Sequence, residues 1–131
     1  MIDAEKKMIL IIDDDKFLVD MYSMKFTMEG YAVQACLSAK DALNLLRGGL
    51  LPDVIMFDLT MPELDGLSFL TALTEEKLAP KALKIALTNQ SEDAEQKKAM
   101  DLGADKYIVK ASAIPSEVVD IVGKAIGRKT V

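Results

Sequence analysis

The chain has no histidine, no tryptophan, a single cysteine and only four prolines in 131 residues. Without imidazole there are no histidine metal ligands, no Ser-His pairs and no histidine acid–base work. One cysteine, Cys36, permits neither an intrachain disulfide nor a Cys-based metal centre, and it reads as a small buried hydrophobe. Long apolar runs are missing as well. The N-terminal run Met8–Ile12 is far too short for a signal sequence or a membrane-spanning helix, so a cytoplasmic protein with no membrane contact is expected. Positive charge is also in short supply: 16 Lys and Arg against 21 Asp and Glu give a net charge of −5, which argues against direct binding of nucleic acid. Any chemistry must therefore rest on carboxylates, Lys, Thr, Ser or Tyr.

Half of the residues are apolar, and the length suits one domain with a proper core, expected to occupy residues 1–131 with no output domain. Five short apolar runs read as strands: residues 8–12 (MILII), 31–36 (YAVQAC), 53–57 (DVIMF), 82–87 (ALKIAL) and 106–110 (KYIVK). Between them lie segments of helical periodicity. In the first, Phe17, Leu18, Met21, Met24 and Met28 share a face that is expected to be buried, and Gly30 ends it. Phe17, Phe57 and Phe69 are expected in the core, with the methionines as core filler apart from one or two that could lie on a partner surface. Ser38 with Asp41 suggests a capping box for the second helix, closed by Gly48-Gly49. Leu67, Phe69, Leu70 and Leu73 mark the third, Ser91 is the expected cap of the fourth, and Pro115 suits the first turn of the fifth. The fourth helix, around AEQKKAM, is poor in apolar residues and is expected to be the least firmly packed. Five-fold strand–helix alternation predicts an α/β fold: a five-stranded parallel sheet, doubly wound, with five helices on its two faces.

In an open parallel sheet, sites form at the carboxyl ends of the strands. The first strand ends in Asp13-Asp14-Asp15, the third in Asp58, the fourth in Thr88 and the fifth in Lys110. If strands one and three are neighbours, the carboxylates of Asp13, Asp14 and Asp58 converge, and so much like charge in a crevice calls for a cation. With oxygen ligands alone, a hard cation is indicated, Mg²⁺ foremost. A carboxylate nucleophile, a metal, a lysine and a hydroxyl form a set suited to phosphoryl transfer onto an aspartate. Asp15, just before a helix, reads as its N-cap.

The segments IIDDDKFL, IMFDLTMPELDG, IALTN and YIVK, in that order and on those strands, resemble the receiver domain of two-component response regulators. The resemblance covers nearly the whole chain, and the Asp-x-x-Met-Pro-x-x-Asp-Gly run is quite specific. It implies the flavodoxin-like strand order 2-1-3-4-5. It also implies Asp58 as phosphoacceptor and Asp14 as direct Mg²⁺ ligand. Asp13 would act mainly through water, with the backbone carbonyl of Thr60 as a further ligand. Thr88 and Tyr107 would be a switch pair and Lys110 the phosphoryl-binding lysine. The implied partners are a histidine kinase or phosphotransfer protein and a downstream target on the surface of the fourth helix, fifth strand and fifth helix. The domain would not be a conventional enzyme, although it would catalyse its own phosphorylation and dephosphorylation.

Two positions depart from the family pattern. Asn89 follows Thr88 where a small residue is usual, which would reshape the approach to Asp58. Ala111 follows Lys110 where proline is usual. A cis bond before a non-proline residue costs about 2.5–4 kcal/mol, so a trans Lys110–Ala111 bond is expected, with Lys110 still directed at Asp58. Two other functions compete: a receiver-like binding module that is never phosphorylated, and a phosphatase resembling the haloacid dehalogenases with Asp13 and Asp15 as nucleophile and acid. The second lacks Thr or Val at Phe17 and a late acidic pair, and a flavodoxin-type nucleotide site is disfavoured because DDDK replaces its phosphate loop.

Overall fold

The computed structural model describes residues 6–89, 93–110 and 114–127. Ten elements alternate along the chain: β1 Met8–Ile12, α1 Lys16–Met28, β2 Ala32–Cys36, α2 Ala39–Arg47, β3 Val54–Asp58, α3 Gly66–Glu76, β4 Leu83–Thr88, α4 Asp93–Asp101, β5 Lys106–Val109 and α5 Pro115–Ala125. The strands form one parallel sheet in the order β2-β1-β3-β4-β5, as expected. With β1 and β3 adjacent, Ile12 pairs with Phe57, so the residues that follow each strand emerge side by side.

Alternate residues of each strand feed two cores, as the period of a strand dictates. Leu10, Ile12, Ile55, Phe57 and Ala86 pack with the buried residues of α2 and α3 and with Ala99 of α4. Ile9, Ile11, Val54, Met56, Ile85, Leu87 and Ile108 pack with Tyr22 and Phe26 of α1 and with Val118 and Val122 of α5. The central strand β3 is buried along its whole length.

Local sequence sets the helix ends. The Asp15 carboxylate accepts from the backbone N–H groups of Phe17 and Leu18 and caps α1, and Ser38 Oγ accepts from Asp41 N to cap α2. Asp65 Oδ1 accepts from Ser68 N at the start of α3, and the Glu117 carboxylate accepts from Ile114 N ahead of Pro115. Gly66 is dictated by contact: a Cβ there would lie 2.5 Å from the Asp58 carbonyl oxygen and 2.7 Å from Leu59 Cα. Only glycine lets α3 begin directly against the end of β3. Ser91 and the Lys110–Ala111 bond fall outside the described residues.

One expectation fails in α1. Its buried residues are Val19, Tyr22 and Phe26, while Phe17, Met24 and Met28 are 75%, 59% and 71% exposed. Phe17 is therefore not a core residue. Two apolar rows run along this helix, and packing of Tyr22 and Phe26 against the sheet and α5 turns the Val19 row inward. Met100 is exposed too, whereas Met56 and Met61 are buried. In α4 the buried residue is Ala99, in keeping with its apolar-poor sequence.

Candidate functional site

The carboxyl edge of the sheet brings together most of the polar residues singled out in the sequence. Asp13 and Asp58 are 2% and 7% exposed, Thr88 is fully buried at the end of β4, and Asp14 is open to solvent. Each buried carboxylate is fixed by a local backbone donor: Asp13 Oδ1 accepts from Asp15 N at 3.0 Å, and Asp58 Oδ1 accepts from Thr60 N at 3.3 Å. The second oxygen of each faces Lys110. Lys110 Nζ donates to Asp13 Oδ2 at 2.7 Å and stands 3.5 Å from Asp58 Oδ2. Lys110 does reach Asp58, although its tighter partner is Asp13.

Two buried anions thus share one ammonium. Burial pushes the Asp58 carboxyl up to about 6, with the Asp13 charge acting in the same direction and Lys110 opposing both. Burial works against the charge on Lys110, yet the hydrogen bond to Asp13 and the two carboxylate charges hold its ammonium above the usual lysine range. Tyr22, which the sequence reading passed over, lies within reach of the same charges: burial raises its phenol, and Lys110 and Asp13 pull it in opposite directions. A tyrosine within the helical pattern of α1 carries no signal of that proximity.

One carboxylate oxygen each from Asp13, Asp14 and Asp58 lies within 4.8 Å of the others. The donors are oxygens alone, and the two buried carboxylates outnumber the cation between them. That arrangement fits a hard divalent ion such as Mg²⁺. Asp15 has no place in this cluster, since its carboxylate caps α1, which removes the acid that a phosphatase reading would need.

Tyr107 is half-buried on β5. It pairs with Ala86, and Thr88 pairs with Val109, so Tyr107 and Thr88 are diagonal neighbours on the same face of the sheet. The Tyr107 hydroxyl donates to Glu95 Oε1 of α4 at 3.4 Å. Glu95 gave no signal in the sequence, because the contact depends on how α4 lies across β5. Asn89 is exposed beside Thr88.

Residues 9–122 match the response regulator receiver domain family. The chain belongs to that family. Response regulator SaeR of Staphylococcus aureus is 33% identical over 111 residues, covering 85% of this chain and 46% of SaeR, so the chain spans about half the length of that curated relative. The CheY-like receiver domain protein of Methanospirillum hungatei superposes with a TM-score of 0.85 at 24% identity, over 94% of this chain and 95% of that one. The BeF3-activated receiver domain of DrrB superposes with a TM-score of 0.82 at 26% identity, over 95% of this chain and all of that one. Receiver domains typically bind Mg²⁺ at an acidic cluster and are not conventional enzymes. Among the described residues of this receiver domain, no helix is long and apolar enough to cross a membrane.

Proposed function

We propose that this receiver domain accepts a phosphoryl group on Asp58 and relays that event to a partner protein. The observation that carries the reading is the placement of Asp58: a buried carboxylate at the end of the central strand, beside Asp13 and 3.5 Å from Lys110. An Asp58 carboxylate oxygen attacks phosphorus, the bond from phosphorus to the donor breaks, and an acyl phosphate forms. With a histidine kinase or phosphotransfer protein as donor, that bond is to an imidazole nitrogen, which leaves with the electron pair and takes up a proton. Mg²⁺ supplies charge neutralisation at the phosphoryl oxygens when bound. Asp14, Asp58 and the Thr60 carbonyl would hold it directly, and Asp13 mainly through water. Lys110 stabilises a phosphoryl oxygen, and the Thr88 hydroxyl donates to another.

The relay would run through Thr88 and Tyr107 to the surface of α4, β5 and α5, where a downstream protein docks. A kinase that draws on cellular ATP places the domain in the cytoplasm. Intact-mass measurement after incubation with acetyl phosphate tests the reading. One added phosphoryl group per chain, dependent on Mg²⁺, is the expected result. No addition in the presence of Mg²⁺ would overturn it in favour of a receiver-fold module that is never phosphorylated.

A further inference from the structure

We infer that Glu95 is a positioning residue for the Thr88–Tyr107 pair: its carboxylate holds the Tyr107 phenol against α4 and opposes a rearranged state that is sampled before phosphorylation and takes the phosphoryl group more readily. The inference rests on the phosphoacceptor reading given above and adds a restraint to it.

The geometry lies in the attachment of α4. Ala99 is its buried residue, so apolar burial holds this helix weakly. At its far end, Thr74 Oγ1 of α3 donates to the carbonyl of Leu102 at 3.1 Å, just beyond the helix. At its near end, in the first turn, Glu95 Oε1 accepts from the Tyr107 hydroxyl of β5 at 3.4 Å. Glu95 and Tyr107 are both partly buried, which shelters the bond from competition with water. Thr88 is fully buried one diagonal step from Tyr107 on the same face of the sheet. A phosphoryl group on Asp58 draws the Thr88 hydroxyl towards it. Space then opens beside Thr88, the Tyr107 ring shifts towards that space, and the Glu95–Tyr107 bond is loaded. By linkage, free energy that the bond contributes to the resting arrangement is withheld from the phosphorylated one.

At 3.4 Å the bond is long for an O–H···O contact, and the low end of hydrogen-bond strength corresponds to about twofold to threefold in such an equilibrium. Glu95→Ala should therefore speed Mg²⁺-dependent labelling by acetyl phosphate about twofold to threefold, read as the initial rate by intact mass. Glu95→Gln keeps an acceptor oxygen and should restore the wild-type rate. Tyr107→Phe removes the donor, and in that background Glu95→Ala should change nothing further. Ring resonances of Tyr107 in unphosphorylated Glu95→Ala should move towards those of the phosphorylated wild type, and those of Glu95→Gln should not. A wild type that takes no label overturns the phosphoacceptor reading, and this inference with it. A wild type that takes label, with Glu95→Ala matching it in both rate and ring shifts, overturns the role of Glu95 alone. So does an equal effect of Glu95→Ala with and without the Tyr107 hydroxyl, since that would be a charge effect.

Discussion

Aspartates stand at both ends of the sheet in different company. At the amino end, Asp53 Oδ2 accepts from Met8 N and Asp105 Oδ2 accepts from Lys84 N, each at 2.8 Å. These carboxylates tie one strand to its neighbour, and both retain access to water. At the carboxyl end, Asp13 and Asp58 also give one oxygen to a backbone N–H, but the other oxygen of each turns to the same partly buried lysine. The first pair is satisfied by the backbone and solvent. The second is left with two anions for one cation, where little water reaches to screen the excess. A strand-end aspartate is a staple in the first setting, and in the second, on the function proposed above, Asp58 is a reactive group.

The largest expected effect comes from removing that excess charge. The Asp58 carboxyl sits at about 6 against an ordinary 3.8. Between those values the folded chain binds a proton that the unfolded chain has released. Protonation therefore favours folding, and the benefit is lost as pH rises through about 6. At pH 8 the ionised group costs the folded state about 3 kcal/mol, from 1.36 kcal/mol per pKa unit. Asp58→Asn should be more stable than wild type by that order at pH 8 and equal to it near pH 3, as read by denaturant unfolding. Equal stability at pH 8 would mean that Lys110 already balances the site.

At the other edge the sign reverses. Asp53→Ala leaves Met8 N without its charged acceptor and should lower stability by about 1.5–2 kcal/mol. Its rate of labelling by a small phosphodonor should match wild type. Slower labelling would erase the distinction between the two edges.

A smaller effect sharpens the same contrast. Mg²⁺ at ten times its Kd should stabilise the protein by about 1.4 kcal/mol in thermal or denaturant unfolding. Asp14→Ala should reduce that gain, and Asp53→Ala should leave it intact. Unfolding that ignores millimolar Mg²⁺ would contradict a metal site at the carboxyl edge.

Much of this was legible in the sequence because strands and strand ends carry strong signals. Five apolar runs located the sheet to within a residue or so, and Asp13, Asp14, Asp58, Thr88 and Lys110 fell at its carboxyl edge because each follows or ends such a run. The face of α1 was not legible. Phe17, Met21, Met24 and Met28 recur at helical spacing, and so do Val19, Tyr22 and Phe26. Periodicity alone cannot choose between two apolar rows. The choice falls to tertiary packing against the sheet and α5, which buries the row with two aromatic rings. Contacts between elements distant in sequence were likewise hidden. The pairing of Lys110 with Asp13 rather than Asp58 as its closer partner, and of Tyr107 with Glu95, depends on distances that no spacing encodes.

The central claim is that Asp58, the buried carboxylate at the end of the central strand and the one that Lys110 holds less closely, is the nucleophile, and not its neighbour Asp13. Intact-mass analysis of Asp58→Asn after incubation with acetyl phosphate and Mg²⁺ tests it most directly, with far-ultraviolet circular dichroism to verify the fold. Wild type should gain one phosphoryl group, and the folded variant should gain none. A folded variant that still takes label, mapped to Asp13, would contradict the account.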